Sequence, residues 1–320
     1  MIGLIVLLQA LTLAVSGPPT SPEYLPIHVA AAEGYFAREG LDVTLKITRA
    51  EPGAAEALSQ GQTDLAATSL DAILRFGPRG ATQTPRIVLG LTAAPPVALL
   101  VSAAQKDVVK SIEDLANTRV GITTPGAPEQ AWLAWLLARA GLSVAQVSIV
   151  SHGGRGLVHA LDAGDIHAGL VPEPYASRLL ADSQVRLLAD LRTPAAVAAL
   201  GPMTVNAAVF IRADRRLRDR DLTGFTRALL AAERRIAAGN AGALAARLPR
   251  RVAPADEFED RLAAARALYL PNGVVTSGQV QETIVLSRAH QPLPVTARVP
   301  KPEQMLLMEP LRRAVETPAR

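Results

Sequence analysis

Apolar and polar positions change period along the chain in a repeated way. A short two-residue alternation is followed by a longer stretch spaced at three and four. Leu41-Asp42-Val43-Thr44-Leu45-Lys46-Ile47 alternates and predicts a strand with one covered face. Residues 27–36 read as a helix ending near Gly34, 54–60 as a helix stopped by Gly61, and 64–68 as a second strand. Ser69 is placed to cap the next helix, with Asp71 near its positive end. Strands over 86–92 and 97–102 flank the Pro95-Pro96 break. The same grammar then recurs: a short helix at 111–115, a strand at 119–123, and a loop through Pro125 and Gly126 opening a helix that runs to Ala140. Further strands are predicted at 148–150, 167–171 and 185–188, with helices at 156–163 and from Pro174. Past Gly201 the pattern gives one strand, 205–212, and then helices at 221–238, 255–269, 277–290 and 302–315. Strands separated by helices predict βα units and parallel sheet, so two such blocks with a helical tail predict a two-lobed α/β protein.

The 320 residues are 49% hydrophobic and 19% charged, which supplies apolar surface for packed domains and excludes disorder. Aromatics at 3% leave no base-stacking platform, and the densest basic run, 212–220, is interspersed with Asp214 and Asp219, so no nucleic-acid partner is expected. With no Cys there is no disulfide, Cys-ligated zinc, thiol nucleophile or lipid-anchored Cys. The five His residues show no close pair except His152 and His159, so neither a metal nor a cofactor is expected. Trp132 and Trp135, three apart on a predicted helix, read as packing residues. Residues 2–15 are apolar apart from Gln9 and Thr12, and Ala14-Val15-Ser16 has the small-x-small pattern of a signal-peptidase site. Export with cleavage near Ser16 is therefore expected, against the plainer reading of a first buried strand.

Several stretches in order resemble the periplasmic solute-binding proteins of the nitrate/sulfonate/taurine type, whose relatives bind thiamine-pyrimidine precursors. They are Pro26 to Val43, with Ala32-Glu33-Gly34-Tyr35-Phe36 inside it; Ala57 to Ala66; Ser111 to Leu115 before Val120-Gly121-Ile122; Pro125-Gly126; and Ala160 to Ala168 leading to Glu173-Pro174-Tyr175. Asn117-Thr118 and His167 depart from the usual residues of that family. The resemblance implies an α/β two-lobed periplasmic binding protein fold (type II-like) with a ligand cleft between lobes. Residues 1–16 would be a signal peptide, 17–98 and 205–320 the first lobe, and 99–204 the second. It also implies a soluble, monomeric periplasmic protein that delivers a small polar organic solute to an ABC permease in the inner membrane. An enzyme of the same fold, resembling thiamine-pyrimidine synthase or the menaquinone-pathway dehydratases, stays open as the alternative, although the Cys-rich motif of the former has no counterpart here.

Candidate binding residues sit at helix entries, where free amides and the helix dipole meet a ligand. In the second block they are Thr124, Gly126 and Ala127, then His152 and Arg155 in a Gly-rich loop that lacks the Lys-Ser/Thr of a Walker loop. Arg155 can pair bidentately with a sulfonate or carboxylate. In the first block Glu23 and Tyr24 precede a helix, and Ser69 and Leu70 stand at a strand end, where a hydroxyl and an aromatic suit hydrogen bonding and stacking. Glu173 follows a strand and favours a ligand with amine or amide donors. Each has a plainer reading: a βα turn, a solvent-facing Arg155, a helix cap at Ser69, and loop-amide bonding by Glu173.

Overall fold

The computed structural model describes residues 9–182, 185–290, 293–295 and 297–317. They divide into two compact units. The first contains the described residues up to Thr92, those of Thr204–Gln281 and those from Pro294 onward; the second contains Ala93–Met203 and the described part of Glu282–Leu293. The helix Ser277–His290 thus begins in one unit and ends in the other.

The first sheet comprises β1 (Gln9–Val15), β2 (Leu41–Ile47), β3 (Leu65–Ser69), β4 (Pro85–Gly90) and β10 (Ala207–Arg212), in the order β2-β1-β3-β10-β4. The second comprises β5 (Val97–Val101), β6 (Arg119–Ile122), β7 (Ser148–Ser151), β8 (Ala168–Pro172) and β9 (Arg186–Asp190), in the order β7-β6-β8-β5-β9. Helix-separated strands predict parallel pairing throughout, but β10 runs antiparallel to β3 and β4, and β5 antiparallel to β8 and β9. Both exceptions are the first strand after the chain passes from one unit to the other, so neither is preceded by a crossover helix of its own unit, which is what enforces parallel pairing.

The expected signal peptide needs correction. Gln9–Val15 pairs along its whole length with β2 and, from Leu13 to Val15, with β3, and Leu11, Leu13, Ala14 and Val15 are buried. Asp64 fixes its register: the Thr12 amide and hydroxyl both donate to Oδ2, at 2.8 and 2.9 Å. Cleavage at Ser16 would remove the strand that joins β2 to β3. The apolar run reads as a leader because a strand covered on both faces shows no alternation. Residues 2–8 of that expected leader lie outside the described residues.

Helix Asp219–Ala238 packs on Leu25–Ala32 and on Glu309–Glu316. Its Leu222, Phe225, Leu229, Ala232 and Ile236 recur at three and four and form its buried face, with Phe225 stacked on Phe36 at 5.2 Å. The second unit centres on Ala98, Leu100, Leu157, Leu161 and Val171. Gly121 is required there, because a Cβ would lie 2.4 Å from Leu157 Cδ2. Among the described residues no helix is long and apolar enough to cross a membrane.

Candidate functional site

Open α/β sheets bind ligands beyond the carboxyl ends of their strands. In the first sheet Ser16 follows β1, Ser69 ends β3, Thr92 lies just past β4, and Asn206 precedes the antiparallel β10, so all four reach the same edge. Two carboxylates organise Ser69, Thr92 and Asn206. Glu51, which opens the helix after β2, accepts from the Ser69 hydroxyl at 2.5 Å and from the Tyr24 hydroxyl at 3.2 Å. Glu23 accepts from Asn206 Nδ2 at 2.7 Å, from the Thr92 hydroxyl at 3.4 Å and from the Ser21 hydroxyl at 3.3 Å. The Tyr269 hydroxyl donates to the Pro22 carbonyl at 2.8 Å. Burial, with Glu51 and Glu23 nearby, pushes the Tyr24 phenol well above its ordinary range, which keeps it a donor.

Ser69 both caps and bridges. Its Oγ accepts from the Ala72 amide at 3.1 Å while its single proton goes to Glu51. Leu70 offers no side-chain polar group to this edge: it is wholly buried, and its amide donates to the Asn206 carbonyl at 2.7 Å.

At the corresponding edge of the second sheet, the loops after β6 and β7 are neighbours because Ile122 pairs with Ser151. Gly126 adopts φ +80° before the helix Pro128–Arg139, and its amide donates to Gln130 Oε1 at 2.8 Å. Thr124 and Gly126 are exposed and Ala127 is half-buried. Thr123 donates to the buried Glu129, whose carboxyl is raised by desolvation. The His152 amide donates to the Ile122 carbonyl at 3.1 Å, and Arg155 Nε donates to the Tyr175 hydroxyl at 3.2 Å, tying the loop after β7 to the one after β8. Glu173 is buried and held locally: it accepts from the Ser177 hydroxyl at 2.7 Å and pairs with Arg192 at 3.3 Å. Arg192 also forks onto Asp190, at 2.9 and 2.8 Å.

Glu23, Tyr24 and Ser69 therefore share one hydrogen-bonded rim, and Thr124, Gly126, Ala127, His152 and Arg155 share another with Glu173 beside it. Sequence reasoning missed Glu51, Thr92, Asn206, Asp190 and Arg192. Only Glu51, at the first turn after a predicted strand, had a local signal. Among the described residues no group of three or more His, Asp or Glu side chains could hold a metal ion.

The model of the family described as NMT1/THI5 like matches residues 21–236. The chain belongs to that family. A protein of Bordetella bronchiseptica RB50 is similar at 25% identity and TM-score 0.73, over 96% of this chain and 97% of the other. The periplasmic aliphatic sulphonate binding protein SsuA from Escherichia coli is similar at 17% identity and TM-score 0.72, over 93% and 97%. The desulfurization enzyme DSZB is similar at 15% identity and TM-score 0.62, over 95% and 99%. No curated protein sequence matches the chain at a significant level. Family and fold agree with the resemblance drawn from the sequence: this is the α/β fold of the periplasmic binding proteins.

Proposed function

We propose that this NMT1/THI5-like chain is the extracytoplasmic solute-binding component of an ABC importer for a small polar organic solute that carries hydrogen-bond donors, such as an aminosulfonate of the taurine kind or an aminopyrimidine. The observation that carries this reading is the rim of the first unit, where side chains from separate segments converge on Glu23 and Glu51. Burying the Glu23 carboxylate, with the half-buried Glu51 beside the same rim, is costly unless the arrangement serves something, and acceptor-rich groups serve a donor-bearing ligand. The rim of the second unit suits a different group: the exposed entry to Pro128–Arg139 and the Arg155 guanidinium favour an anionic oxygen. The likeness to SsuA, a sulphonate binder by its name, supports a transport role and a sulfonate.

DSZB favours the alternative, an enzyme of this fold. Against it, the chain has no thiol, and the Ser69 hydroxyl is committed to Glu51 and to the Ala72 amide. Isothermal titration calorimetry with taurine, short alkanesulfonates and aminopyrimidines tests the reading. One of them is expected to bind stoichiometrically and unchanged, at least tenfold more weakly in Glu51→Gln; Arg155→Ala scores the second rim separately. Conversion of a bound compound to product would establish the enzyme instead, and absence of binding across the panel would remove the proposed solute class.

A further inference from the structure

The segment that carries Glu23 is tied to a part of the chain beyond residue 236, where the family match ends. Arg261 Nη1 donates to the Thr20 carbonyl at 2.9 Å, and the Tyr269 hydroxyl donates to the Pro22 carbonyl at 2.8 Å. Glu23 is the next residue. Arg261 is itself aimed by Glu257, one turn earlier on the same helix face, which accepts from its Nε at 3.2 Å and from its Nη2 at 2.5 Å. Both partners of this pair are buried, so salt screens it little. Their helix, Phe258–Ala265, packs on Pro22–Tyr24.

Tyr269 reaches the rim by a second route. The helix predicted over 255–269 ends at Ala265, and Tyr269, released from it, bridges Thr92 in antiparallel fashion. The Leu270 amide donates to the Leu91 carbonyl at 2.8 Å. Gly90 permits this approach, because a Cβ there would lie 2.4 Å from Val275 Cγ2 and 2.9 Å from Leu270 Cδ1. Thr92 in turn donates its hydroxyl to Glu23 Oε1. Tyr269 therefore fixes Glu23 from two sides, through the Pro22 backbone and through Thr92. A shift of about 1 Å at Pro22 would carry the 2.7 Å bond from Asn206 to Glu23 beyond hydrogen-bonding range.

We propose that Tyr269 and Arg261 are positioning residues for the solute rim: acting through Glu23, they hold its carboxylate where it accepts from an amine or amide of the ligand, and so set the preference for donor-bearing over donor-free solutes. Their effect on affinity rests on the rim being the solute site; their effect on Glu23 does not.

Two measurements on the full chain test this. The first needs no ligand, so it judges the positioning role even where the solute reading falls. In nitrogen-15 spectra the Asn206 side-chain amide reports its bond to Glu23, and it is expected to shift in Tyr269→Phe and in Glu257→Gln/Arg261→Gln, but not in the surface control Arg313→Gln. An Asn206 resonance unmoved in both test variants, or moved equally by the control, would overturn the proposal. The second is calorimetry with taurine and with ethanesulfonate, which lacks the amine. Tyr269→Phe should weaken taurine about fivefold, as loss of one hydrogen bond does, and ethanesulfonate by less than about twofold. Equal weakening of the two would overturn the proposal, since general loosening of the unit has that result. In a Glu23→Gln background Tyr269→Phe should weaken taurine no further, and an additive loss would equally overturn action through Glu23.

Discussion

The two units carry the same strand pattern, three parallel strands, one antiparallel and a fifth parallel to the first three, yet their polar edges are finished differently. In the first, Tyr24, Ser69 and Thr92 are at most 1% exposed and Glu23 is 9% exposed. In the second, Thr124, Gly126, His152 and Arg155 are exposed. A carboxylate withdrawn from water must find donors inside the protein, so the buried Glu23 comes with Asn206 and Thr92 already in position, and the half-buried Glu51 with Tyr24 and Ser69. Amides and guanidinium groups at the surface can exchange partners with water at little cost. The first edge is preorganised at the expense of strict packing, and the second is adaptable.

Damage confined to one unit has the largest expected effect. Leu13 is fully buried on β1, and Leu13→Asp places a charge without a partner there, costing about 4 kcal/mol or more. Hydrogen exchange should then show loss of amide protection in the first unit with protection kept in the second; loss in both would show that the units stand or fall together. Next come the rims. Asn206→Ala strips Glu23 of the amide donor at 2.7 Å and should cost about 2–3 kcal/mol in urea unfolding, whereas Arg192→Gln, at a half-buried guanidinium, should cost about 1 kcal/mol. Equal losses would erase the distinction between the edges.

A smaller effect has a pH signature and belongs to the first unit. Burial raises the Glu233 carboxyl to about 8, and its Oε1 has no partner. The folded protein keeps a proton that the unfolded chain releases above about 4.5, so this group withdraws stability as pH rises from about 4.5 to about 8. Glu233→Gln should stabilise by about 1–2 kcal/mol at pH 8 and by nothing at pH 4. His28 acts in the opposite direction: burial, with Arg251 nearby, lowers it to about 4, so its contribution is lost as pH falls from about 6.5 through 4. The smallest change is expected at the second edge, where Arg155→Ala should alter unfolding free energy by less than about 0.5 kcal/mol.

Leu41–Ile47 was legible because it opens after Gly40 and alternates over seven residues. Strand direction was not legible at β5 and β10, because direction there depends on which unit the chain has just left. Gln9–Val15 was ambiguous between leader and strand, since apolar composition alone serves both. At the candidate site, Glu23, Tyr24 and Ser69 were visible as groups at helix entries. Thr92 and Asn206 were invisible, because only the insertion of β10 between β3 and β4 brings them to Glu23. Arg192 likewise meets Glu173 through the pairing of β5 with both β8 and β9.

The insertion of β10 also sets an order of events at the ribosome. Every strand of the second sheet lies within Val97–Asp190, so that sheet can close as soon as this stretch has emerged. The first cannot, because β10 fills the gap between β3 and β4 and is translated last. At about 5–20 residues per second, β3 and β4 wait roughly 6–25 s with their facing edges unpaired. During that interval the nascent chain carries a complete second sheet behind an incomplete first one, with the Glu282–Leu293 part of the second unit still to be made. Released chains that end just before Ala207, treated with protease, should therefore yield a resistant fragment from the second sheet, with cleavage concentrated in the residues that precede Thr92.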